Sequence, residues 1–460
     1  MAEMHLTLSR QTVKLGLIIV IQQLFPEESL KIAYSIQEAV FCRFKDSAIS
    51  VREVRQIDLK LKEWILTDPE IEFLKLEGGY FHYRVTGNDV KMIYPCETSV
   101  EKIDLFDIIP FGDGFILDFR EAGHANASMV SPDKLSAVYD KTQKWLENIK
   151  LELLCDVNNY IASGATLKLI GMAEALHEKE ISDISDMILQ RKKILRVLLI
   201  SGASSSGKTS FSQRLSTQLS VNGFNPVILS LDDYFVNREQ TPLDAEGNYD
   251  FDCIEALDLP FLQQQISELI DGKTVETPIF DFKIGYRSQK TRKLHVGQDE
   301  ILVMEGIHAL NPELVPNINR NVLFKVYLTA LFELNIDLTN RVPSSEVRMI
   351  RRIVRGDRFR GTHPEETLKQ WENVRLGEYK NVFKFQEESD VMFNSSLLYE
   401  LNALRPFAEE SLNKIEDDSP FADTKERLLR MIAFCEPMDT AKVPFNSLLR
   451  EFIGGSIYFD

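Results

Sequence analysis

A run of eight residues near the middle of the chain has the composition of a phosphate-binding loop. It reads Gly202-Ala203-Ser204-Ser205-Ser206-Gly207-Lys208-Thr209 and is followed by Ser210, from which a helix is expected. The glycines let successive backbone N–H groups curl round a phosphate, and the helix N-terminus adds its dipole. Lys208 is expected to reach the β- and γ-phosphates of a nucleotide, and the Thr209 hydroxyl to hold Mg²⁺. Residues 202–210 therefore predict a nucleoside triphosphate site.

Two carboxylates follow apolar stretches that are typical of buried strands. Asp232 comes directly after Pro226–Leu231, and Glu305 closes the stretch Ile301–Glu305. Parallel strands present their carboxyl ends at one edge of a sheet, so both groups are expected beside the phosphate loop. Asp232 is predicted to take the proton from an acceptor hydroxyl, and Glu305 to hold Mg²⁺. The alternative for each is a carboxylate that only caps a turn or faces solvent.

Six arginines occur within the thirteen residues 348–360 of a chain whose net charge is −17. Helical spacing places Arg348, Arg352 and Arg355 on one face, with Arg358 and Arg360 just past the helix end. Phosphoryl transfer concentrates negative charge, which arginines stabilise, and a helix that closes over ATP also excludes water. The run predicts a lid over the transferred phosphate, and the alternative is a solvated basic face.

The spacing of apolar residues along the chain predicts the strands and helices that position these residues. Residues 194–410 alternate strand and helix signals, which predicts an α/β fold with a parallel, helix-covered sheet. Its strands are expected at Val197–Ser201, Pro226–Leu231, Ile301–Glu305, Leu323–Leu328 and Val391–Asn394.

Three further regions surround that domain. Residues 1–125 predict a small α+β domain, with helices over Val13–Gln23 and Ser50–Ile65. Residues 126–193 predict a helical connector that is N-capped by Ser131 and interrupted at Ser163-Gly164. Residues 411–460 predict a helical tail.

The amino-acid composition argues against several classes of protein. The 53 basic and 70 acidic residues give a pI of about 5.1, which disfavours non-specific nucleic-acid binding. The five cysteines are scattered without a CxxC pair, which argues against a disulfide framework or a cysteine zinc site. The apolar stretch Leu15–Ile21 is too short to span a bilayer, so a cytoplasmic location and no membrane partner are expected.

In this order the motifs resemble the uridine kinase and phosphoribulokinase family, over about Ile194–Pro406. The further segments that carry the resemblance are Tyr249-Asp250-Phe251-Asp252, Ala256-Leu257-Asp258, Pro278-Ile279-Phe280-Asp281-Phe282 and Glu305-Gly306-Ile307. The resemblance implies a P-loop kinase with a five-stranded parallel sheet flanked by helices, and ATP and Mg²⁺ as cofactors. It also implies that Asp232 is both general base and Mg²⁺ partner, and that Glu305 supports the metal. The lid residues it implies are Arg352, Arg355 and Arg358, and the acceptor site it implies comprises Asp232, Tyr234, Phe251, Asp252, Phe280, Arg287 and Arg360.

The acceptor is expected to be a small molecule. Transfer of the γ-phosphate to the 5′-OH of uridine or cytidine is the first expectation. Uridine kinases typically have a tyrosine and a histidine at the base, where this chain has Phe280 and Gly285. This departure motivates one alternative, a kinase for another sugar or sugar phosphate. An alternative of a different class is a non-catalytic, NTP-dependent regulator whose front domain binds RNA. The basic residues available to a sugar phosphate are Lys283, Arg287, Lys290, Arg292 and Lys293.

The front region resembles the second additional domain of threonyl- and alanyl-tRNA synthetases. The residues that carry this are Gln22-Gln23-Leu24-Phe25-Pro26, Leu30-Lys31-Ile32 and the helix from Ser50. The zinc ligands of that domain correspond to Gln11 and Leu15, so neither zinc nor editing activity is expected. A scaffold for packing or for a homo-oligomer is the expectation for this region.

Overall fold

The structure, a computed structural model, describes residues 2–101, 103, 105–119, 131–244, 247, 249–281 and 284–458. The boundary predicted between residues 125 and 126 lies outside the described residues, as do Phe282 and Lys283. The elements before the connector are α1 (Ala2–Leu24), β1 (Leu30–Ile36), β2 (Ala39–Phe44), α2 (Val51–Leu66), β3 (Ile71–Glu77), β4 (Tyr80–Val85), β5 (Asn88–Met92), β6 (Asp107–Phe111) and β7 (Gly114–Asp118).

The front region is a small α+β unit with two antiparallel sheets, in the orders β1-β2-β7-β6 and β3-β4-β5. Ser50 caps α2 through a capping box with Glu53, which fixes where that helix begins. Gly16 lets α1 and α2 approach closely, since a Cβ there would lie 2.5 Å from the Trp64 ring.

The connector forms α3 (Asp133–Ile149), α4 (Leu154–Ala162) and α5 (Thr166–Leu189). The predicted N-cap at Ser131 is wrong by one residue, because α3 begins at Asp133 and the Ser131 hydroxyl donates to the Asp133 carboxylate (3.0 Å). The break at residues 163–165 falls where it was expected. Ile181, Ile184 and Ile188 of α5 pack in the core beside the parallel sheet.

The parallel sheet is built from β8 (Val197–Gly202), β9 (Asn225–Ser230), β14 (Glu300–Glu305), β15 (Leu323–Thr329) and β16 (Val391–Asn394), in the order β16-β15-β8-β14-β9. All of its pairings are parallel, which confirms the predicted five-stranded α/β fold. The remaining strands are β10 (Thr274–Thr277), β11 (Phe280–Asp281), β12 (Tyr286–Arg287) and β13 (Arg292–His295). They form two small antiparallel sheets, β10-β13 and β11-β12. Every predicted strand of the main sheet lies within a residue of the observed one at each end.

The helices that follow β8 are α6 (Lys208–Val221), α7 (Leu259–Ile270), α8 (Ser344–Arg355), α9 (Pro364–Asn381), α10 (Glu400–Leu412), α11 (Ala422–Ile432) and α12 (Arg450–Ile453). A π-helical turn, Gly356–Arg360, extends the arginine helix α8. Within the part of the chain that the structure describes, no helix is long and apolar enough to cross a membrane.

The front region packs against the segment that leads into α8. The Arg341 side chain donates to the Ala33 carbonyl (3.1 Å), and the Tyr94 hydroxyl donates to the Glu346 carboxylate (2.6 Å). The Glu38 carboxylate, in the turn between β1 and β2, accepts hydrogen bonds from Arg375 and Tyr379 of α9. The front unit therefore supports the two helices that lie over the phosphate loop.

Candidate active site

The phosphate loop joins β8 to α6 in the strand–loop–helix setting that the sequence predicts. Ser205 and Gly207 have φ of +58° and +85°, which turns successive N–H groups toward one side of the loop. Gly202 must be glycine, because a Cβ there would lie 2.5 Å from the Leu328 carbonyl oxygen. The Ser206 hydroxyl is buried without a hydrogen-bond partner among the described residues. These features fit an anion held in the loop.

Lys208 curls back onto its own loop, where its ammonium donates to the carbonyls of Gly202 (3.0 Å) and Ala203 (3.1 Å). Burial lowers the pKa of Lys208, while the carboxylates of Glu305 and Asp232 act in the opposite direction. A cation so placed gains a strong partner when a phosphate enters the loop.

Glu305 ends β14 beside the phosphate loop. Its Oε1 accepts hydrogen bonds from the Ser230 hydroxyl (2.8 Å) and the Thr209 hydroxyl (3.5 Å). Burial, and then the negative charge of Asp232, raise the pKa of Glu305 to about 7. Two carboxylates and a hydroxyl that face one space supply hard oxygen ligands, the donor type that Mg²⁺ prefers. The residues present therefore fit the predicted metal.

Asp232 lies in the 3₁₀ turn Leu231–Tyr234 that follows β9, and it is half-buried. Its charge acts on Lys208 and Glu305, and also on Arg360. Gly306 permits this approach of β14 to the turn, since a Cβ at that position would lie 2.7 Å from Leu231. The structure thus brings Asp232, Glu305 and the loop together.

The arginines of α8 divide into two sets. Arg348 and Arg351 are buried and support the phosphate loop through its carbonyls, at Ser204 (3.0 Å) and Ser205 (3.2 Å). Each is also paired with a buried glutamate, which is Glu378 for Arg348 and Glu400 for Arg351. Helical spacing predicts Arg348 on the same face as Arg352 and does not single out Arg351.

Arg352 and Arg355 reach the hydroxyls of the loop instead. The Arg352 guanidinium donates to the Ser204 hydroxyl (2.7 Å), and that of Arg355 to the Ser205 hydroxyl (3.2 Å). The positive charge of Arg355, and then burial, lower the pKa of Arg360 to about 10, so these cations are crowded together. Such crowding favours an anion among them.

Arg358 lies beside aromatic rings, and its predicted role in the lid stays a prediction. Its guanidinium lies over the Phe407 ring at 4.3 Å and near the Phe359 ring at 5.6 Å. The π-helical turn that carries it follows Arg355, so its side chain leaves the face that Arg352 and Arg355 share.

Asp252 packs against α9, and the charges of Arg352 and Lys208 act on its carboxyl. Gly377 of that helix packs on it, since a Cβ there would lie 2.3 Å from the Asp252 Cβ. Burial, and then the charge of Glu378, raise the pKa of Asp252 to about 7, and the positive charge of Arg352 acts against them. A carboxyl poised in this way can either donate or accept a hydrogen bond near neutral pH.

Phe251 and Phe280 are the two phenylalanines among the predicted acceptor residues. Phe251 is 43% exposed and its ring lies 5.9 Å from that of Tyr249. Phe280 pairs with Phe235 at 5.7 Å, and its backbone N–H donates to Asp233 (3.2 Å). These rings offer flat apolar surface to an acceptor.

Two predicted acceptor residues are turned into the protein. The Tyr234 hydroxyl is buried and donates to the Gln265 side chain (2.6 Å). The Arg287 guanidinium donates to Asp258 (3.0 Å) and to the carbonyls of Phe235 and Tyr234. Motif position alone gave no sign of these partners. The predicted roles of both residues in binding the acceptor stay predictions.

A C-terminal segment, residues 447–454, also lies against the phosphate loop. Leu448 contacts the loop, since a Cβ on Gly207 would lie 3.2 Å from it. Burial of four large side chains, at about 1.5–3 kcal/mol each, contributes on the order of 6–12 kcal/mol as an upper estimate. Those four side chains are Leu448, Leu449, Phe452 and Ile453. The segment therefore packs against the site, a contact that the predicted helical tail did not indicate.

Comparison with known proteins identifies the centre of the chain. Residues 197–397 match the model of the Phosphoribulokinase / Uridine kinase family. This segment is a domain of that family. The kinase domain is 29% identical over 175 residues to a uridine kinase of Lactobacillus johnsonii, a match that covers 38% of this chain and 74% of the relative. A uridine kinase of Bacillus subtilis is 26% identical over 178 residues, or 39% and 75% of the two chains.

A solved structure described as a possible uridine kinase from Bacillus stearothermophilus aligns with a TM-score of 0.33 and 22% identity, over 47% of this chain and 98% of that one. The family match makes the protein a phosphotransferase with an alcohol acceptor, and it implies ATP as the phosphate donor. It ends before the C-terminal segment begins.

Proposed function

We propose that the kinase domain transfers the γ-phosphate of ATP to the 5′-OH of a pyrimidine nucleoside, uridine or cytidine. The observation that carries this is the meeting of Asp232, Glu305 and Thr209 at the carboxyl edge of the sheet, beside Lys208. Such an arrangement provides a phosphate cradle, a set of metal ligands and a base within one small space.

Residues 202–210 would hold the triphosphate, with Lys208 on the β- and γ-phosphates. The Thr209 hydroxyl, Glu305 and Asp232 would hold Mg²⁺, which when bound neutralises charge on those phosphates. The raised pKa of Glu305 supports this, because a nearby cation relieves the repulsion between the buried Glu305 carboxylate and the half-buried Asp232 carboxylate.

Asp232 would accept the proton of the attacking hydroxyl. It follows β9 at the edge where β14 and the loop also end, so an acceptor above that edge has its hydroxyl between Asp232 and the γ-phosphate. Arg352 and Arg355, with Arg360 near them, would stabilise the charge of the transferred group.

Asp252 would hold the sugar hydroxyls of the acceptor. The rings of Phe251 and Phe280 would stack on its base, because an aromatic face accepts any planar ring. This arrangement favours a nucleoside over a bare sugar, which has no planar group to stack.

A sugar phosphate is the second candidate, and one contact favours it. Gly285 leaves room for the Arg238 side chain, whose Nε would lie 3.1 Å from a Cβ at that position. A guanidinium beside the acceptor region suits a phosphate on the acceptor better than a neutral base.

The test is ADP formation from MgATP by the full chain with uridine, cytidine, ribose and pentose phosphates in parallel. Turnover with uridine or cytidine well above that with ribose is the expected result. Turnover with a pentose phosphate alone would replace the nucleoside by the second candidate and keep the mechanism.

A further inference from the structure

Glu451 brings a carboxylate into the nucleotide site from outside the family domain. It belongs to α12 in the C-terminal segment, and the family match ends at residue 397. Its Oε2 accepts a hydrogen bond from the Ser210 hydroxyl (2.9 Å), and its Oε1 accepts one from Arg355 (2.6 Å). Its charge also acts on Lys208 and Glu305.

One alternative is that the Glu451 carboxylate occupies the phosphate site and is displaced when the nucleotide binds. The anchoring of the segment argues against this. Leu448 lies in the core beside the sheet, and Leu449 and Phe452 lie in the core around α8. The Arg450 side chain adds hydrogen bonds to the carbonyls of Thr440 and Val443. Removal of Glu451 from the site would expose all of these groups, so it stays in place while the enzyme works.

Arg355 is the group on which Glu451 acts most directly. One guanidinium nitrogen donates to Glu451 and the other to the Ser205 hydroxyl, and the Phe452 ring lies 5.6 Å away. Hydrogen bonds at two nitrogens fix the orientation of a planar guanidinium. A single hydrogen bond would leave the group free to rotate. The buried arginines of the same helix are held by glutamates in the same way, Arg348 by Glu378 and Arg351 by Glu400.

We propose that Glu451 is a positioning residue that holds Arg355 against the phosphate loop for phosphoryl transfer. The C-terminal segment is then a part of the active site that this chain adds to the family domain. The proposal rests on the role of Arg355 given under the proposed function.

The test compares Glu451→Gln, Arg355→Gln and the double variant in the full chain, with Glu416→Gln as an exposed control. Activity is ADP formation with the acceptor found above, or uncoupled ATP hydrolysis if none supports turnover, and MgATP binding is measured by calorimetry. Thermal unfolding checks that each variant folds.

Glutamine keeps the shape of Glu451 and removes its charge. We expect kcat to fall about tenfold or more, while the Kd of MgATP changes less than about threefold, because the loss is confined to the transition state. The double variant should be no slower than Arg355→Gln, because Glu451 acts on transfer only through Arg355 and has no further effect once that arginine is gone. Glu451→Asp, which restores the charge at a shorter reach, should recover part of kcat.

Two results would overturn the proposal. An unchanged kcat in Glu451→Gln, beside an impaired Arg355→Gln, would leave the arginine role intact and remove Glu451 from it. MgATP binding about tenfold tighter with kcat at or above that of the wild type would show that Glu451 competes with phosphate. A normal Arg355→Gln would instead contradict the proposed function itself.

Discussion

The raised pKa of Asp252 makes the stability of the protein depend on pH in a way that one substitution removes. Burial and the neighbouring Glu378 charge raise this pKa from 3.8 to about 7. A carboxyl with a raised native pKa favours folding while it is protonated and loses that contribution as pH rises through the native pKa. Asp252→Asn keeps the shape of the side chain and cannot ionise.

The magnitude follows from the size of the shift. The native and unfolded pKa values differ by about three units, and at about 1.4 kcal/mol per unit this is on the order of 4 kcal/mol as an upper bound. The variant should therefore match the wild type near pH 4 and gain stability steadily until the pH passes about 7. Above that pH the difference should stay constant.

The assay is the thermal unfolding midpoint of both proteins between pH 4 and pH 8. One kcal/mol shifts the midpoint by about 2–4 °C in a domain of this size, so the gain at pH 8 is readily measured. Asp299→Asn, at an exposed aspartate, is the matched control and should show no such trend. A difference between Asp252→Asn and the wild type that is the same at every pH would show that ionisation of Asp252 does not change the stability.

Two further predictions concern residues that the structure places behind the site. Arg351→Met should lower the unfolding midpoint by the equivalent of about 3–5 kcal/mol, because Glu400 keeps a buried charge without its partner. Adding Glu400→Gln should recover part of this loss of stability. Calorimetry measures both variants, and a double variant as unstable as Arg351→Met would contradict the prediction. Tyr234→Phe should cost about 1 kcal/mol of stability and leave the acceptor KM unchanged, since its hydroxyl bonds within the core; a raised KM in steady-state kinetics would show that the hydroxyl reaches the acceptor.

The sheet and the phosphate loop could be predicted because their signals are local. Apolar runs of strand length and the glycine pattern of residues 202–209 depend only on neighbours in the chain. The helix predicted over Ser50–Ile65 is local in the same way, and in the structure a capping box between Ser50 and Glu53 fixes its start. The domain boundaries and the roles of the predicted site residues stay predictions.

The orientation of side chains within the site could not be predicted. Helical spacing groups the arginines of α8, yet it does not say which of them meet a buried glutamate and which meet the loop. Tyr234 and Arg287 occupy motif positions, and their actual partners lie in α7 and in nearby carbonyls. Glu451 reaches Ser210 across 241 residues, a contact that no pattern along the chain encodes.

The central claim is that Asp232 takes the proton of an acceptor hydroxyl during transfer from ATP. The direct measurement is transfer of the labelled γ-phosphate to uridine by the wild type and by Asp232→Asn, beside MgATP binding to both. We expect labelled nucleotide from the wild type, a loss of about 10²–10⁴-fold in the variant, and a largely retained affinity for MgATP. Near-normal transfer by Asp232→Asn would contradict it.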